Sequence, residues 1–185
     1  MRQLILRIIL TMTSLLTVVC TPSSAEQFVS RQTFFTKPPK LLDVRTTFNA
    51  ARVPWPTYYY TIDVPSGSGE SLEYIKIQKR GGSETLNYFL DRTIAFKGTP
   101  DHRGEALAIK STLWDEETES LTITFDTLVS PGTTFTLGIK PKRNPENGGI
   151  YLFGVTVFPQ GQNPLGLYLG NGRLHFYGGD DGSLD

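Results

Sequence analysis

The chain has 185 residues, and its 18 basic and 18 acidic side chains give a formal net charge of zero at pH 7. Because there is no basic excess to attract nucleic acid or an anionic membrane surface, we expect neither as a partner. The single cysteine, Cys20, excludes an internal disulfide, and two histidines are few for a zinc site with its three or four protein ligands.

The first 25 residues have the three-part order of a secretory signal peptide. Two arginines open the chain, residues 8–19 are apolar apart from threonine and serine, and Ser-Ser-Ala at 23–25 supplies the small residues of a cleavage site. We therefore predict a signal-peptide helix over residues 1–25, cleavage between Ala25 and Glu26, and an exported protein. Its location would be the periplasm, the cell envelope or the extracellular space.

Membrane attachment is a separate question. The apolar run is shorter than the roughly 20 residues that a bilayer span needs, and no later stretch approaches that length. We expect no transmembrane segment in the mature chain. Cys20 leaves a lipid-anchored protein, cut just before this residue, as an alternative to its loss with the signal peptide.

Short runs with period-two alternation predict β-strands in the rest of the chain. Residues 26–39 end with two prolines and are expected to form a flexible lead-in. Apolar side chains then alternate with polar ones in five runs, residues 42–48, 58–64, 107–113, 121–125 and 135–139. Such alternation is typical of half-buried strands. Residues 150–158 are apolar on both faces, which predicts a strand that is buried on both sides.

Turn-forming residues separate these runs and lead to sharper predictions. Asn171-Gly172 lies between two strand-like runs and predicts a tight hairpin. Gly154 predicts a bulge or a close backbone approach. Residues 93–105 contain two glycines and a proline and are expected to form a long loop, the kind of segment that often binds ligands. Residues 179–185 are expected to be a disordered polar tail.

About ten candidate strands, without any sustained helical period, predict an all-β fold. We expect one antiparallel, immunoglobulin-like β-sandwich domain over residues 40–178. No internal repeat and no second domain are indicated. A domain of this length can bury a sizeable hydrophobic core.

Several short strings suggest a family. They are Pro-Trp-Pro-Thr-Tyr-Tyr-Tyr at 54–60, Phe-Lys-Gly-Thr-Pro at 96–100, Ser-Pro-Gly-Thr-Thr at 130–134, Lys-Pro-Lys-Arg-Asn-Pro at 140–145 and Gly-Ile-Tyr-Leu-Phe-Gly-Val at 149–155. Their order resembles a family of small exported proteins from cyanobacteria that is classed as a domain of unknown function, over roughly residues 37–177. The resemblance implies a periplasmic or cell-envelope protein, and it implies no activity, cofactor or site residue.

No catalytic constellation stands out, so we expect a non-enzyme without catalytic residues, metal ligands or cofactor. His175 lies between two apolar residues and is typical of a plain sheet position. His102 follows Asp101 in the predicted loop, and such a pair is either solvated or helps to hold a metal ion. This leaves an alternative function open: a divalent-metal-binding protein or metal-dependent enzyme that uses the 93–105 loop.

The best candidate site is a binding surface built from aromatic and loop residues. Trp55 and Tyr59 belong to an aromatic cluster that either fills the core or presents an exposed platform for a sugar or a protein. We predict that these two residues form one binding site with Asp101, His102 and Arg103 of the 93–105 loop. An envelope protein or a polysaccharide is the expected partner.

A second polar feature is the basic run with Lys140, Lys142 and Arg143. It is either a solvated turn or a contact for an anionic surface polymer. Taken together, the sequence predicts an exported, non-catalytic β-sandwich that acts as a binding or structural module of the periplasm or cell envelope.

Overall fold

The structure, a computed structural model, describes residues 32–178. The predicted signal peptide, its cleavage site between Ala25 and Glu26, the first part of the lead-in and the tail at 179–185 lie outside the described residues. Within the described part, no helix has the length and apolar character that a membrane crossing requires.

The described chain forms ten strands. In chain order they are β1 (Lys40–Thr46), β2 (Tyr58–Val64), β3 (Leu72–Gly81), β4 (Ile94–Thr99), β5 (His102–Ala106), β6 (Ile109–Asp115), β7 (Ser120–Val129), β8 (Thr133–Ile139), β9 (Gly149–Pro159) and β10 (Leu167–Phe176). Sheet A has the order β1-β2-β8-β4-β5, and sheet B has the order β10-β9-β3-β7-β6, with antiparallel pairing throughout. The predicted fold class, an antiparallel, immunoglobulin-like β-sandwich of about ten strands, is confirmed.

The hydrophobic core lies between the two sheets and follows the predicted alternation. In β2, Tyr58, Tyr60, Ile62 and Val64 point inward, and each is at most 1% exposed. The strands opposite and beside it supply further residues with no exposed surface, among them Leu72, Ile75, Ile123, Phe135, Leu137, Val155 and Val157. Because one cysteine cannot form an internal disulfide, burial of this apolar surface is the main stabilising contribution to the fold.

Residues 32–39, predicted to be part of a flexible lead-in, instead lie against the sandwich. The Thr33 amide donates to the Asn163 carbonyl oxygen at 3.1 Å, and the Thr36 amide donates to that of Ser68 at 2.8 Å. Phe35 is 8% exposed and joins the core. The folded domain therefore begins before residue 40, because this aromatic side chain offers apolar surface that the sandwich can bury.

A bulge in β6 changes which side chains face the core. Regular alternation over residues 107–113 would place Leu113 inward, but the register between β6 and β7 shifts just after Ile109. Because one extra residue reverses every side chain that follows, Leu113 is 62% exposed and Trp114 packs against the core instead. The predicted face is therefore wrong beyond the bulge. A bulge in β1 likewise leaves Leu42 55% exposed.

The hairpin predicted at Asn171-Gly172 is wrong, because both residues lie inside the continuous strand β10. Gly172 is buried where β10 packs against β1 of the other sheet. A Cβ added to Gly172 would lie 2.6 Å from Val44 Cγ2. Close packing, and not a turn, therefore requires glycine at this position.

The outer side of β9 is less covered than its sequence predicts. Residues 150–158 are apolar on both faces, yet Ile150 is 44% exposed, because no further layer within residues 32–178 lies over this side of sheet B. The bulge or close backbone approach predicted at Gly154 is wrong, because the register of β9 is regular there and side chains, not backbone, come close. A Cβ added there would lie 2.5 Å from Arg80 Nε and 3.2 Å from Tyr168 Cε2.

Residues 93–105, predicted to be a long loop, instead form most of the β4–β5 hairpin. Pro100 and Asp101 make its two-residue turn. Gly98 has a positive φ of 88°, and a Cβ there would collide with the His102 carbonyl oxygen. The glycine and proline that suggest a loop thus serve a bulge and a tight turn within a paired ribbon.

Candidate functional site

The β4–β5 hairpin folds across the outer face of sheet A, which is the face turned away from the core. From β4, the hairpin extends over β8 and β2 and reaches β1 at the opposite edge of the sheet. One contact on each strand fixes it: Thr136 of β8 with Gly98, Tyr59 of β2 with Arg103, and Arg45 of β1 with Asp101. The hairpin is therefore a cover over the middle of sheet A.

The side chains beneath this cover, on the outer face of sheet A, are as inaccessible to solvent as those of the core. Thr136 has no exposed surface, and its hydroxyl donates to the Gly98 carbonyl oxygen at 2.7 Å. Thr61 is 2% exposed, and its hydroxyl oxygen lies 3.1 Å from that of Thr136. The Phe96 ring meets the Tyr59 ring edge-on, with 6.4 Å between the centroids. Since buried hydroxyls need partners, the hairpin supplies the acceptor that sheet A lacks.

Arg103 is the central side chain of the contact between hairpin and sheet. Its guanidinium lies 4.9 Å from the Phe96 ring centroid and 5.4 Å from the Tyr59 ring centroid. Arg103 Nη2 donates to the Tyr59 hydroxyl at 2.6 Å. Tyr59 is only 8% exposed, so its ring is held under the arginine and is not an open stacking platform. Among residues 32–178, Arg103 has no carboxylate partner.

A cavity of about 290 Å³ opens beside the hairpin tip. We call it the hairpin cavity, and it is lined by Arg45, Thr46, Thr47, Tyr59, Pro100, Asp101 and Arg103. It brings together three residues that the sequence analysis selected, Tyr59, Asp101 and Arg103. Arg45, which lies opposite Tyr59 in the β1–β2 register, was not among the predicted site residues.

The hairpin cavity is polar, and its charges are partly balanced. Arg45 Nη2 lies 2.7 Å from Asp101 Oδ2, and Arg45 Nε lies 3.7 Å from Asp43 Oδ2. Both pairs are substantially exposed to solvent, so they contribute little to stability and leave lone pairs and donors for another molecule. The cavity can therefore form hydrogen bonds with a ligand that has several hydroxyl or carboxylate groups.

The two other predicted site residues lie outside the hairpin cavity. His102 is exposed on β5, and its backbone amide donates to Thr99 Oγ1 at 3.3 Å. Trp55 lies just before β2 and is 63% exposed, and its amide donates to the Lys142 carbonyl oxygen at 3.0 Å. In the described part of the chain, no group of three or more His, Cys, Asp or Glu residues is placed to hold a metal ion.

The remaining tyrosines of the aromatic cluster belong to the core. The Tyr58 hydroxyl donates to Asn144 Oδ1 at 2.9 Å. Burial raises the pKa of the Tyr58 and Tyr60 phenols well above the ordinary value of 10.0. Both groups therefore stay protonated at physiological pH, and they act as packed hydrogen-bonding side chains.

A known protein family matches most of the chain in sequence. Residues 32–176 match the family described as "Protein of unknown function (DUF2808)". The chain belongs to this family. The DUF2808 match agrees with the resemblance to a domain of unknown function, and the cyanobacterial source stays a prediction. No curated protein matches this DUF2808 chain significantly in sequence.

Solved structures with a similar fold have low sequence identity to the DUF2808 chain. A DUF4466 family protein from Parabacteroides merdae has a TM-score of 0.47 and 13% identity, over 76% of this chain and 43% of that one. The collagen adhesin from S. aureus has a TM-score of 0.39 and 13% identity, over 67% of this chain and 45% of that one. The major pilin SpaD from Corynebacterium diphtheriae has a TM-score of 0.45 and 14% identity, over 73% of this chain and 33% of that one. The match thus spans less than half of each of these proteins and concerns the fold alone.

Proposed function

We propose that the protein is an exported, non-catalytic binding module of the periplasm or cell envelope, and that it recognises a polysaccharide at the hairpin cavity. The signal-peptide pattern at residues 1–25 supports export. The main support for the site is the cavity of about 290 Å³ that the hairpin forms with β1 and β2. This size is at the lower end for small-molecule sites, which measure about 300–1,000 Å³.

The chemistry of the lining favours a sugar over an apolar ligand. Arg45 and Arg103 present several fixed N–H donors, and Asp101 presents carboxylate acceptors. Thr47 adds a hydroxyl, which can donate or accept a hydrogen bond. Sugar hydroxyls need such a mixture of donors and acceptors around a concave wall. The terminal residue or a short segment of an envelope polysaccharide therefore fits this site best.

The metal alternative receives less support. Asp101, one of its proposed ligands, is engaged by Arg45 at 2.7 Å, and a metal would have to displace that guanidinium. His102 lies on the exposed side of β5 and belongs to no group of three or more potential metal ligands in the described chain. We therefore favour binding of an organic ligand through the cavity.

A thermal-shift screen of the purified protein against fragments of cell-wall and secreted polysaccharides tests the proposal. A ligand that binds the folded state raises the melting temperature by mass action. We expect a rise with at least one fragment, and we expect Arg45→Gln and Arg103→Gln to abolish it. Arg173→Gln is the matched control, because Arg173 is exposed on β10 of the other sheet.

Two results would count against the proposal. One is the absence of any shift across the fragment panel, and the other is a shift that both cavity variants retain. A shift with divalent cations that is lost in His102→Ala would favour the metal alternative instead. Binding only to an envelope protein, with the cavity variants defective, would keep the site and replace the ligand class.

A further inference from the structure

The outer face of sheet A continues past the hairpin cavity to one end of the domain. The β2–β8 ladder keeps its register beyond both strands, through an antiparallel bridge between Pro54 and Arg143. Lys140, the first residue after β8, continues the alternation and lies on the same outer face as Gly138. Lys140 Nζ, at 3.5 Å from Thr57 Oγ1, agrees with this placement.

Two cations lie beside one aromatic ring at this end. The Arg92 guanidinium lies 4.8 Å from the Phe89 ring centroid, and Lys142 Nζ lies 5.8 Å from it. The Phe89 amide donates to the Lys140 carbonyl oxygen at 2.8 Å, which joins the two segments through their backbones. We call Trp55, Phe89, Arg92, Lys140 and Lys142 the cationic end.

The cations of the cationic end form no direct ion pairs. Within residues 32–178, none of Arg92, Lys140 and Lys142 pairs with a carboxylate. Glu84 and Glu146 line a cavity together with Lys142, but their carboxylates are bonded to other groups. The neighbouring Arg52 and Arg143 differ, because both pair with Glu146, at 3.3 and 2.7 Å. The whole chain is neutral, so this concentration of positive charge does not follow from composition. Like charges held close together repel each other unless an anion binds between them.

Trp55 adds an aromatic surface to this charge. It is 63% exposed, although a large indole normally contributes more when buried. Its φ of 55° lies in the left-handed region, which is unfavourable for a bulky side chain and persists only when the surroundings impose it. The hydrogen bond that the Trp55 amide donates to the Lys142 carbonyl oxygen holds its backbone beside Lys142. An exposed indole next to ammonium groups suits a sugar ring that carries a negative charge.

We propose that the cationic end binds an anionic, carboxylate-bearing polysaccharide. A sugar ring stacks on Trp55, and the uronate carboxylates pair with Lys142, Lys140 and Arg92. This inference deepens the proposed function and rests on it, since both place a polysaccharide on the outer face of sheet A. It concerns different side chains from those of the hairpin cavity, so each can fail separately.

Isothermal titration of the purified protein with alginate oligosaccharides, which are pure uronate chains, measures this binding. Dextran oligosaccharides supply sugar rings without charge, and poly-glutamate supplies carboxylates without sugar rings. We compare the wild type with Lys142→Gln, Arg92→Gln and Trp55→Ala. Lys110→Gln is the matched charge control, because Lys110 is exposed on β6 in the other sheet.

We expect alginate to bind more tightly than dextran and to lose affinity as salt rises. Each charge variant should weaken alginate binding about two- to fivefold, the range of exposed ion pairs. Trp55→Ala should weaken it about tenfold through the loss of ring stacking, with little change for poly-glutamate. Lys110→Gln should bind like the wild type.

The inference is overturned if the wild type does not bind alginate, or if Lys142→Gln and Arg92→Gln bind it like Lys110→Gln. Equal binding of poly-glutamate and alginate, unaffected by Trp55→Ala, would assign the cationic end to an acidic polypeptide instead. Arg103→Gln separates the two proposals. Alginate affinity that it leaves unchanged supports an independent site, whereas alginate affinity lost only in Arg103→Gln shifts all binding to the hairpin cavity.

Discussion

The outer faces of the two sheets differ although their strands have the same alternation. In sheet A, Thr61 and Thr136 point outward and are at most 2% exposed, because the hairpin lies over them. In sheet B, Thr122 and Thr124 also point outward, but they remain partly exposed with no layer above them. A strand pattern thus tells which side chains share a face, and the connections between strands decide whether that face is dry.

The cover also explains where the candidate site lies. On sheet B the surface contacts join side chains of the sheet itself, such as the Tyr74 and Phe158 rings stacked at 4.2 Å and Arg80 over the Tyr168 ring at 5.1 Å. On sheet A the hairpin folds over the sheet, and its rim forms the hairpin cavity. A difference in one connection therefore gives the outer face of sheet A its concave site.

The largest expected effect comes from breaking the cover at its bend. Gly98→Ala places a Cβ against the His102 carbonyl oxygen at a positive φ, so we expect a loss of about 2–4 kcal/mol of unfolding free energy. Urea denaturation measures it. Gly67→Ala is the control, because its added Cβ would meet only Lys37 at 3.5 Å, and its effect should stay within about 0.5 kcal/mol. Equal stability of the two variants would contradict a fixed hairpin.

The next variant compares the same residue type on the two faces. Thr136→Val removes the donor to Gly98 and the partner of Thr61, so it should cost about 1–3 kcal/mol. Thr124→Val, at a partly exposed position of sheet B, should change stability by less than about 0.5 kcal/mol. If both substitutions cost the same in urea denaturation, the outer face of sheet A is not the dry layer described above.

A smaller effect tests how sheet B is stabilised without a cover. A hydrogen bond from Thr85, at 2.6 Å, and the ammonium of Lys79 lower the pKa of Glu119 below 4.5. Since the folded-state pKa is the lower one, the carboxylate stabilises the fold above about pH 4.5, and this contribution is lost as pH falls through the folded-state pKa.

Glu119→Gln should therefore lower stability by about 1 kcal/mol at pH 7 and should lose less stability than the wild type on acidification. Melting temperatures measured at a series of pH values between 3 and 7 report both effects. Glu116→Gln, at an exposed position of the same turn, should follow the wild type. An acid response of Glu119→Gln equal to that of the wild type would contradict the assignment.

The smallest effect is expected at the hairpin tip. Asp101→Asn removes the ion pair with Arg45. The Arg45 side chain is 38% exposed and the Asp101 side chain is 67% exposed. Such a pair contributes at most about 1 kcal/mol, and less as salt rises. Asp126→Asn, at an exposed position of β7, is the charge control. A cost well above that of Gly98→Ala would mean that the tip, and not the bend, holds the cover in place.

Much of the sandwich could be predicted from alternation alone. The inward face of β2 follows directly from it. The bulges in β1 and β6 could not be predicted, because an extra residue leaves no mark in the composition. Glycine was ambiguous for a similar reason: Gly172 serves close packing, and Gly98 serves a bend inside a hairpin, while both resemble loop residues in sequence.

The candidate site was predictable only in part. Tyr59, Asp101 and Arg103 were selected as residue types and do come together. Arg45 was missed, because its contact with Asp101 depends on a hairpin that crosses β8 and β2, and no short-range pattern encodes that crossing. The role of Phe89 was also hidden, because Lys142 belongs to a separate segment that backbone hydrogen bonds bring beside Phe89 and Arg92.

The packing of β1 against β10, where Gly172 meets Val44, closes one side of the sandwich. Among residues 32–178, no further strand pairs with the outer edges of β5 and β6. Both have exposed charges, Arg103 and Glu105 on β5, and Lys110 on β6. A charged edge resists the addition of a strand from another molecule. The hairpin that covers sheet A thus also protects the chain from edge-to-edge aggregation.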